Sequence, residues 1–443
     1  MKKYLLLFMI LFLTACQDIG DNKPLLTPSK KRQPIFIVNP NRHLNIADFW
    51  IRQLENPSKI IMNHKKIQKF NDRIAHKQGL YSNFKDLNRF YGSSWIRSTI
   101  LESFKSLKRS TRYFSDNSSI NSKFYKQIKS ELNLSTLKAK KRTTRYAMTI
   151  NYTNQRIIPT QKAMLKRKNQ IYFDRNQNSA LDIATPIAIL HSTKDGSWHY
   201  GIAPTSSGWV RDQDIVFGKR KQILNYLNSK NFIVTTASKT SLLIKGVYHD
   251  YMRMGVKIPY LLSVDDNIMV QIPTRNNENN RLIFSNATVK KRDIHIGYLP
   301  YTQENILIQA FKFLHQPYGW GGMFGEQDCS KFIQEIYATT GLYIPRNSAS
   351  QSRVGQLKID LNSLNRATRL EQLEKSAKPA ISILHLKGHI VLYIGNHNGE
   401  PFIIHTVWGS SSRHFALGRT AVTSLNFNGY LNKIDLITNI ASK

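Results

Sequence analysis

Cys329 lies between Asp328 and Ser330, at the head of a run whose apolar residues Phe332, Ile333, Ile336 and Tyr337 recur at helical spacing. A cysteine that opens a helix meets the positive end of the helix dipole and free backbone N–H groups, which favour thiolate and can hold an oxyanion. The expectation is a nucleophile with a lowered pKa. Thiolate attack on a carbonyl also needs a group that takes the thiol proton and returns it to the leaving group, and histidine titrates in the range that suits both tasks. His389 opens the alternating run Gly388-His389-Ile390-Val391-Leu392-Tyr393-Ile394-Gly395, and His405 lies in the next, Phe402 to Thr406. Adjacent strands could set the imidazoles side by side, with His405 fixing the ring of His389 as the third member of a triad. Spacing alone is not specific, because the chain has 13 histidines, and most such residues are surface or satisfied core groups. His385 and His389 are four apart, but a zinc helix needs glutamate where Leu386 stands, and Gly388 opposes a helix. No metal or other cofactor is expected.

These residues need scaffolding, and the chain of 443 residues has room for roughly two to four compact units. Hydrophobic residues make up 41% and aromatics 11%, enough for folded cores despite a net charge of +36. Between Ile46 and Ser135 apolar residues recur at helical spacing (Ile60, Ile61, Ile67, Phe70, Ile74; then Ile100, Phe104, Leu107), with Lys123, Lys126 and Lys129 on a solvated face. From Tyr146 the texture changes to short apolar segments split by Gly, Asn, Asp and Pro, with Lys194-Asp195-Gly196 as a hairpin turn; two small β-barrels in tandem fit best. Helical periodicity returns at Gln303, a second helix is expected near Ser330 to Thr339, and strands follow, giving a C-terminal α+β domain. The predicted organisation is a signal peptide over 1–15, an anchor and tether over 16–45 and a helical stabilising domain over 46–145. Barrels follow over 146–220 and 221–300, and the α+β domain over 301–443.

Two cysteines exclude a disulfide framework and any cysteine-rich metal site. The first has a separate reading. Met1-Lys2-Lys3 is basic, Tyr4 to Leu13 is apolar but too short for a span of about 20 residues, and Leu13-Thr14-Ala15-Cys16 matches a bacterial lipobox. Cys16 is therefore the expected site of lipidation, and Gln17 after it favours the periplasmic side of the outer membrane in a Gram-negative host. Lipidation would leave Cys329 as a lone thiol in an oxidising compartment.

Four motifs in order carry a resemblance: Pro317-Tyr318-Gly319-Trp320-Gly321-Gly322, Asp328-Cys329-Ser330, Ile344-Pro345-Arg346-Asn347-Ser348, and Gly388-His389 through Gly395. They resemble the NlpC/p60 family of papain-like cysteine peptidases. The likeness extends upstream, where Asn63 to Ile74 is similar to the stabilising segment of members with two bacterial SH3 domains. Arg156 to Thr160, Asp195 to Trp198 and Gly208-Trp209-Val210 resemble the first of those domains. The resemblance implies that Cys329 is nucleophile, His389 general base and acid, and His405 the orienting residue. It further implies that Tyr318 lines the site near the oxyanion and that Asp328 and Ser330 bind substrate. In members of this architecture the first SH3 domain closes one end of the groove and selects peptides with a free N-terminal L-Ala, for which Asp174 and Tyr200 are the candidates here. One departure is Pro379-Ala380-Ile381-Ser382, where many members have Pro-Gly-Asp.

The expected function is a peptidoglycan hydrolase, a cysteine endopeptidase cutting the amide between γ-D-Glu and the diamino acid of stem peptides. The alternatives are a non-catalytic wall-binding lipoprotein, or an amidase or acyltransferase on the same fold. Residues 17–168 hold 32 basic against 9 acidic residues, a surface expected to meet an anionic envelope; nucleic acid is not an expected partner, since no recognised motif accompanies the charge. A monomer is expected.

Overall fold

The computed structural model describes residues 42–409 and 416–441; the expected signal peptide, Cys16 and most of the tether lie outside them. Short helices α1 (Ala47–Ile51) and α2 (His64–Asp72) come first, followed by α3 (Ser93–Lys108) and α4 (Ser122–Glu131). Asn63 and Asn121 cap α2 and α4 by accepting from Lys66 and Phe124 N–H. The stretch expected as one helical unit divides by what it covers. Trp50, Ile67, Phe70 and Ile74 join a core with Ile306, Phe332 and Ile390, whereas Ile96, Ile100, Phe104 and Ile128 pack against Ile158, Leu190 and Trp209 of the first barrel. Trp50 packs on Gly395, where a Cβ would sit 3.1 Å from the indole.

The first barrel comprises β1 (Arg145–Thr149), β2 (Thr153–Arg156), β3 (Gln177–Leu181), β4 (Pro186–Ser192), β5 (Trp198–Ile202), β6 (Ser207–Arg211) and β7 (Ile215–Phe217). After helix α5 (Arg220–Leu227) the second follows with β8 (Phe232–Thr235), β9 (Lys239–Ile244), β10 (Val247–Arg253), β11 (Lys257–Val264), β12 (Asn267–Arg275), β13 (Leu282–Lys290) and β14 (Ile294–Ile296). The first sheet runs in the order β3-β2-β6-β5-β4-β1-β7 and the second in the order β10-β9-β13-β12-β11-β8-β14. Shifting the second by seven strands reproduces the first, so one topology is used twice.

The C-terminal domain places α6 (Gln303–Phe311) and α7 (Cys329–Ala338) against a six-stranded antiparallel sheet. Helices α8 (Ser348–Gln351) and α9 (Arg366–Ser376) lie between those helices and the main run of strands. The sheet is built from β15 (Leu357–Asp360), β16 (Ser382–Leu386), β17 (His389–His397), β18 (Glu400–Gly409), β19 (Ala416–Ser424) and β20 (Ile434–Asn439), in the order β15-β20-β16-β17-β18-β19. The Pro379–Ser382 departure keeps its turn: Ala380 adopts a left-handed φ of 61° that glycine takes more easily. Buried Ser382 bonds Lys378 N–H and Asn439 Oδ1.

Buried charge joins the three folded parts. Arg253 of the second barrel, fully buried, donates from Nε and Nη2 to Asp182 of the first at 2.7 and 2.8 Å. Its Nε also lies 3.3 Å from Glu335 on α7, and Lys331 stands 3.5 Å from Asp182. Taking one member out of such a cluster leaves uncompensated charge. Arg253→Ala is expected to destabilise the protein by about 3–5 kcal/mol, read as a lowered urea midpoint; an unchanged midpoint would show that the cluster does not hold the parts together.

Candidate active site

Two glycines and an ion pair set the start of α7. Between Tyr318 and Cys329 the chain makes an irregular turn in which Gly321 and Gly322 have φ of 62° and 87°. A Cβ there would also strike the first barrel, 2.7 Å from Gln177 Cγ at Gly321 and 2.7 Å from Ala180 Cβ at Gly322. The barrel holds this turn by polar contacts: Gln177 Nε2 donates to Gly321 O at 3.2 Å and Tyr152 OH donates to Gly322 O. Asp328 is the N-cap of α7 and accepts from Lys331 N–H at 2.8 Å, from Ser330 Oγ and, on its other oxygen, from Gly321 N–H. Arg346 reaches both its oxygens, at 3.0 and 2.6 Å, and donates from Nε to Ser179 Oγ of the first barrel at 3.0 Å. Burial alone would raise the Asp328 carboxyl, but the guanidinium and its other donors outweigh it and hold it below the usual range.

Cys329 is the first residue of α7 and is half-buried. Its thiol lies at the N–H of Ile390, the residue after His389, with the phenols of Tyr318 and Tyr430 near enough to feel its charge. His389 Nε2 and His405 Nδ1 are 2.9 Å apart, and His405 Nε2 is 3.1 Å from Thr423 Oγ1. The register that pairs Leu392 with Ile404 and Ile403 with Thr423 brings these three strands together. Tyr430 packs against both imidazoles, its ring centre 5.6 Å from each. For His389 Nδ1 to be the free base, Nε2 must carry the proton and donate to His405, whose own Nε2–H then donates to Thr423; one set of neutral tautomers satisfies the row.

The thiol departs from expectation. Burial, reinforced by Asp328, pushes it up to about 12, overriding the Ile390 and Ser330 N–H groups that favour thiolate. Burial likewise lowers His389 to about 4, and His405 falls well below the ordinary imidazole value through burial and the neighbouring His389. Near pH 7 the free protein thus holds a neutral thiol and neutral imidazoles.

Tyr318 is half-buried beside the thiol, whereas Asp328 and Ser330 are buried and spend their bonds on the α7 start and on Arg346. Asp174 and Tyr200, expected at the groove's end, are instead inside the first barrel, each 2% exposed. Asp174 pairs with Arg156 at 2.6 Å and accepts from Met164 and Asn176 N–H, and Tyr200 packs on Trp209 with its hydroxyl at Ser207. The barrel meets the site through other residues: Phe173 lies 6.2 Å from Tyr318 and 5.2 Å from Trp408, and Tyr172 lies 4.5 Å from Trp408, all ring to ring. Arg346 was visible as part of a motif without a role; Gln177, Ser179 and Thr423 gave no signal. If the thiol is neutral at rest, iodoacetamide should alkylate Cys329 at pH 7 about a thousandfold more slowly than a thiol at the reference value of 9.0, the thiolate fraction falling tenfold per unit of the rise to about 12. The rate should still climb at pH 10, and a plateau reached below pH 8 would contradict this proton placement.

Residues 315–412 match the NlpC/P60 family and residues 162–211 match an SH3 domain of the SH3b1 type. The γ-D-glutamyl-L-lysine dipeptidyl-peptidase of Bacillus cereus is 24% identical over 193 residues, 43% of this chain and 54% of that protein. The enzyme of the same name from Bacillus subtilis is 30% identical over 115 residues, 26% of this chain and 36% of that one. The chain thus spans about half or less of the length of these curated relatives. A solved structure described as a novel NlpC/P60 endopeptidase, from Photobacterium damselae subsp. piscicida, shares the fold with a TM-score of 0.74 at 19% identity, covering 89% of this chain and 96% of that one. The chain thus carries a C-terminal region that matches the NlpC/P60 family, preceded by a region that matches an SH3 domain of the SH3b1 type.

Proposed function

We propose that the chain is a cysteine peptidase that cuts the amide between γ-D-Glu and the diamino acid in peptidoglycan stem peptides. The observation that carries the reading is the row Thr423–His405–His389 at hydrogen-bond distances, with the half-buried Cys329 thiol, at a helix N-terminus, at the N–H of Ile390, the residue after His389. Residues matching the NlpC/P60 family surround that thiol, and two relatives are named for a γ-D-glutamyl-L-lysine bond.

In this mechanism Cys329 Sγ attacks the γ-carbonyl carbon as His389 Nδ1 takes its proton. The C–N bond breaks, the amine leaves with that proton, and a thioester remains on Cys329. Water, deprotonated by His389, then releases the γ-D-Glu carboxyl and restores the thiol. The imidazolium formed in each step keeps its Nε2–H on His405, so the ring stays aimed at sulfur. At the start of α7 the N–H of Lys331 is taken by Asp328 and that of Ser330 by the thiol, which leaves the N–H of Cys329 for the oxyanion. A base lowered to about 4 is fully neutral near pH 7, and activity should fall only as the pH drops through about 4 and His389 becomes charged.

Mass spectrometry of L-Ala-γ-D-Glu-diamino acid peptides incubated with the protein tests the reading. The free diamino acid end should appear with the wild type and drop at least about 10³-fold with Cys329→Ala. Equal release by both proteins would remove Cys329 from the mechanism, and no release by either would leave the reading without an enzyme.

A further inference from the structure

Arg175 is a half-buried cation without a carboxylate, just before β3 of the first barrel. It follows Asp174, whose oxygens are taken by Arg156, Met164 N–H and Asn176 N–H. Several other arginines face acids, Arg156 facing Asp174, Arg211 facing Asp214, Arg253 facing Asp182 and Arg346 facing Asp328, while Arg369 and Arg73 spend their donors on backbone carbonyls. Arg175 has no such partner among the described residues. Its guanidinium lies 4.5 Å from the ring centre of Trp320, and Phe173 packs on the same indole at 5.4 Å. The charges it feels are Arg112, a second cation, and the phenol of Tyr318 beside Cys329.

The donors of this group are unspent as well as its charge. Arg175 Nε, Arg112 Nε and Trp320 Nε1 are all buried, and none finds an acceptor among the described residues. The Nη1 of Arg112 bonds only Ser110 Oγ and the carbonyl of Thr111. Two half-buried cations held together with buried, idle Nε–H groups cost stability. An acceptor-only anion would satisfy both the charge and the donors, and planar oxyanions match a guanidinium best.

We propose that Arg175, backed by Arg112 and Trp320, is a carboxylate subsite that holds an acidic group of the substrate against the first barrel while Cys329 attacks the scissile amide. This deepens the peptidase reading above and rests on it for the identity of the substrate. A stem peptide carries more than one carboxylate: the α-carboxylate left free by a γ-linked D-Glu, and that of the diamino acid or residue ending the chain. The ligand chemistry is the same for each.

Binding to the Cys329→Ala protein, which cannot turn substrate over, separates the subsite from the reaction. The probes are an L-Ala-γ-D-Glu-L-Lys tripeptide and two versions of it, amidated at the D-Glu α-carboxylate or at the lysine carboxylate, titrated calorimetrically. Amidation of one of the two should weaken binding about 10- to 100-fold, as loss of a hydrogen-bonded charge does. Adding Arg175→Gln should weaken the parent peptide equally and abolish that difference, while Arg175→Lys should retain part of it. Equal binding of all three peptides, binding of none, or a penalty that survives Arg175→Gln would overturn the proposal. Hydrolysis of the same peptides by the wild type is read separately: absent hydrolysis with the binding pattern intact would remove the peptidase reading and leave the subsite.

Discussion

Arg346 ties the C-terminal domain to the first barrel through one guanidinium. Two of its N–H groups take the carboxylate that caps α7, its Nε reaches Ser179 in the first barrel, and the same carboxylate accepts from the Gly321 turn that Gln177 of that barrel holds from the other side. A buried carboxylate at a helix N-terminus, without its guanidinium, would have to protonate or pull the helix start towards water. Cys329 is the residue after that cap, so the position of the sulfur depends on an ion pair one residue away. The first barrel is consequently part of the frame of the site, since its strands supply donors and acceptors that the C-terminal domain does not provide for itself.

The histidines depend on a different constraint, the register of three strands. Leu392 opposite Ile404 and Ile403 opposite Thr423 place His389, His405 and Thr423 in one hydrogen-bonded row. Burial keeps the row uncharged, and the same burial keeps the thiol protonated. A site built this way gains little from a preformed ion pair. In the proposed mechanism it relies instead on orientation, so that a single proton transfer coincides with attack.

Much of this was legible before any coordinates. Helical spacing after Cys329 and alternation around His389 and His405 are local signals, and each placed its residue on the right kind of element. What depended on partners far along the chain was not. Burial reverses the expected thiol shift, because the apolar groups that desolvate Cys329 come from several elements. Asp174 is a candidate through the family resemblance alone, yet Arg156, at the end of β2, pairs with it inside the barrel. Its neighbour Arg175 is one of 64 basic residues, and nothing local in the sequence sets it apart. The helices of the N-terminal third share one periodicity, and periodicity does not say which surface a face will cover; α2 went to the C-terminal core and α3 to the first barrel.

The dependence of the nucleophile on Arg346 is tested most directly by turnover of stem peptide by Arg346→Lys. Lysine keeps the positive charge near Asp328, but as a single ammonium it cannot grip both carboxylate oxygens and Ser179 together. The account predicts a folded protein whose kcat/KM falls by about 10²-fold, the scale on which misplacing a reacting group by about 1 Å acts. Turnover equal to that of the wild type would contradict it.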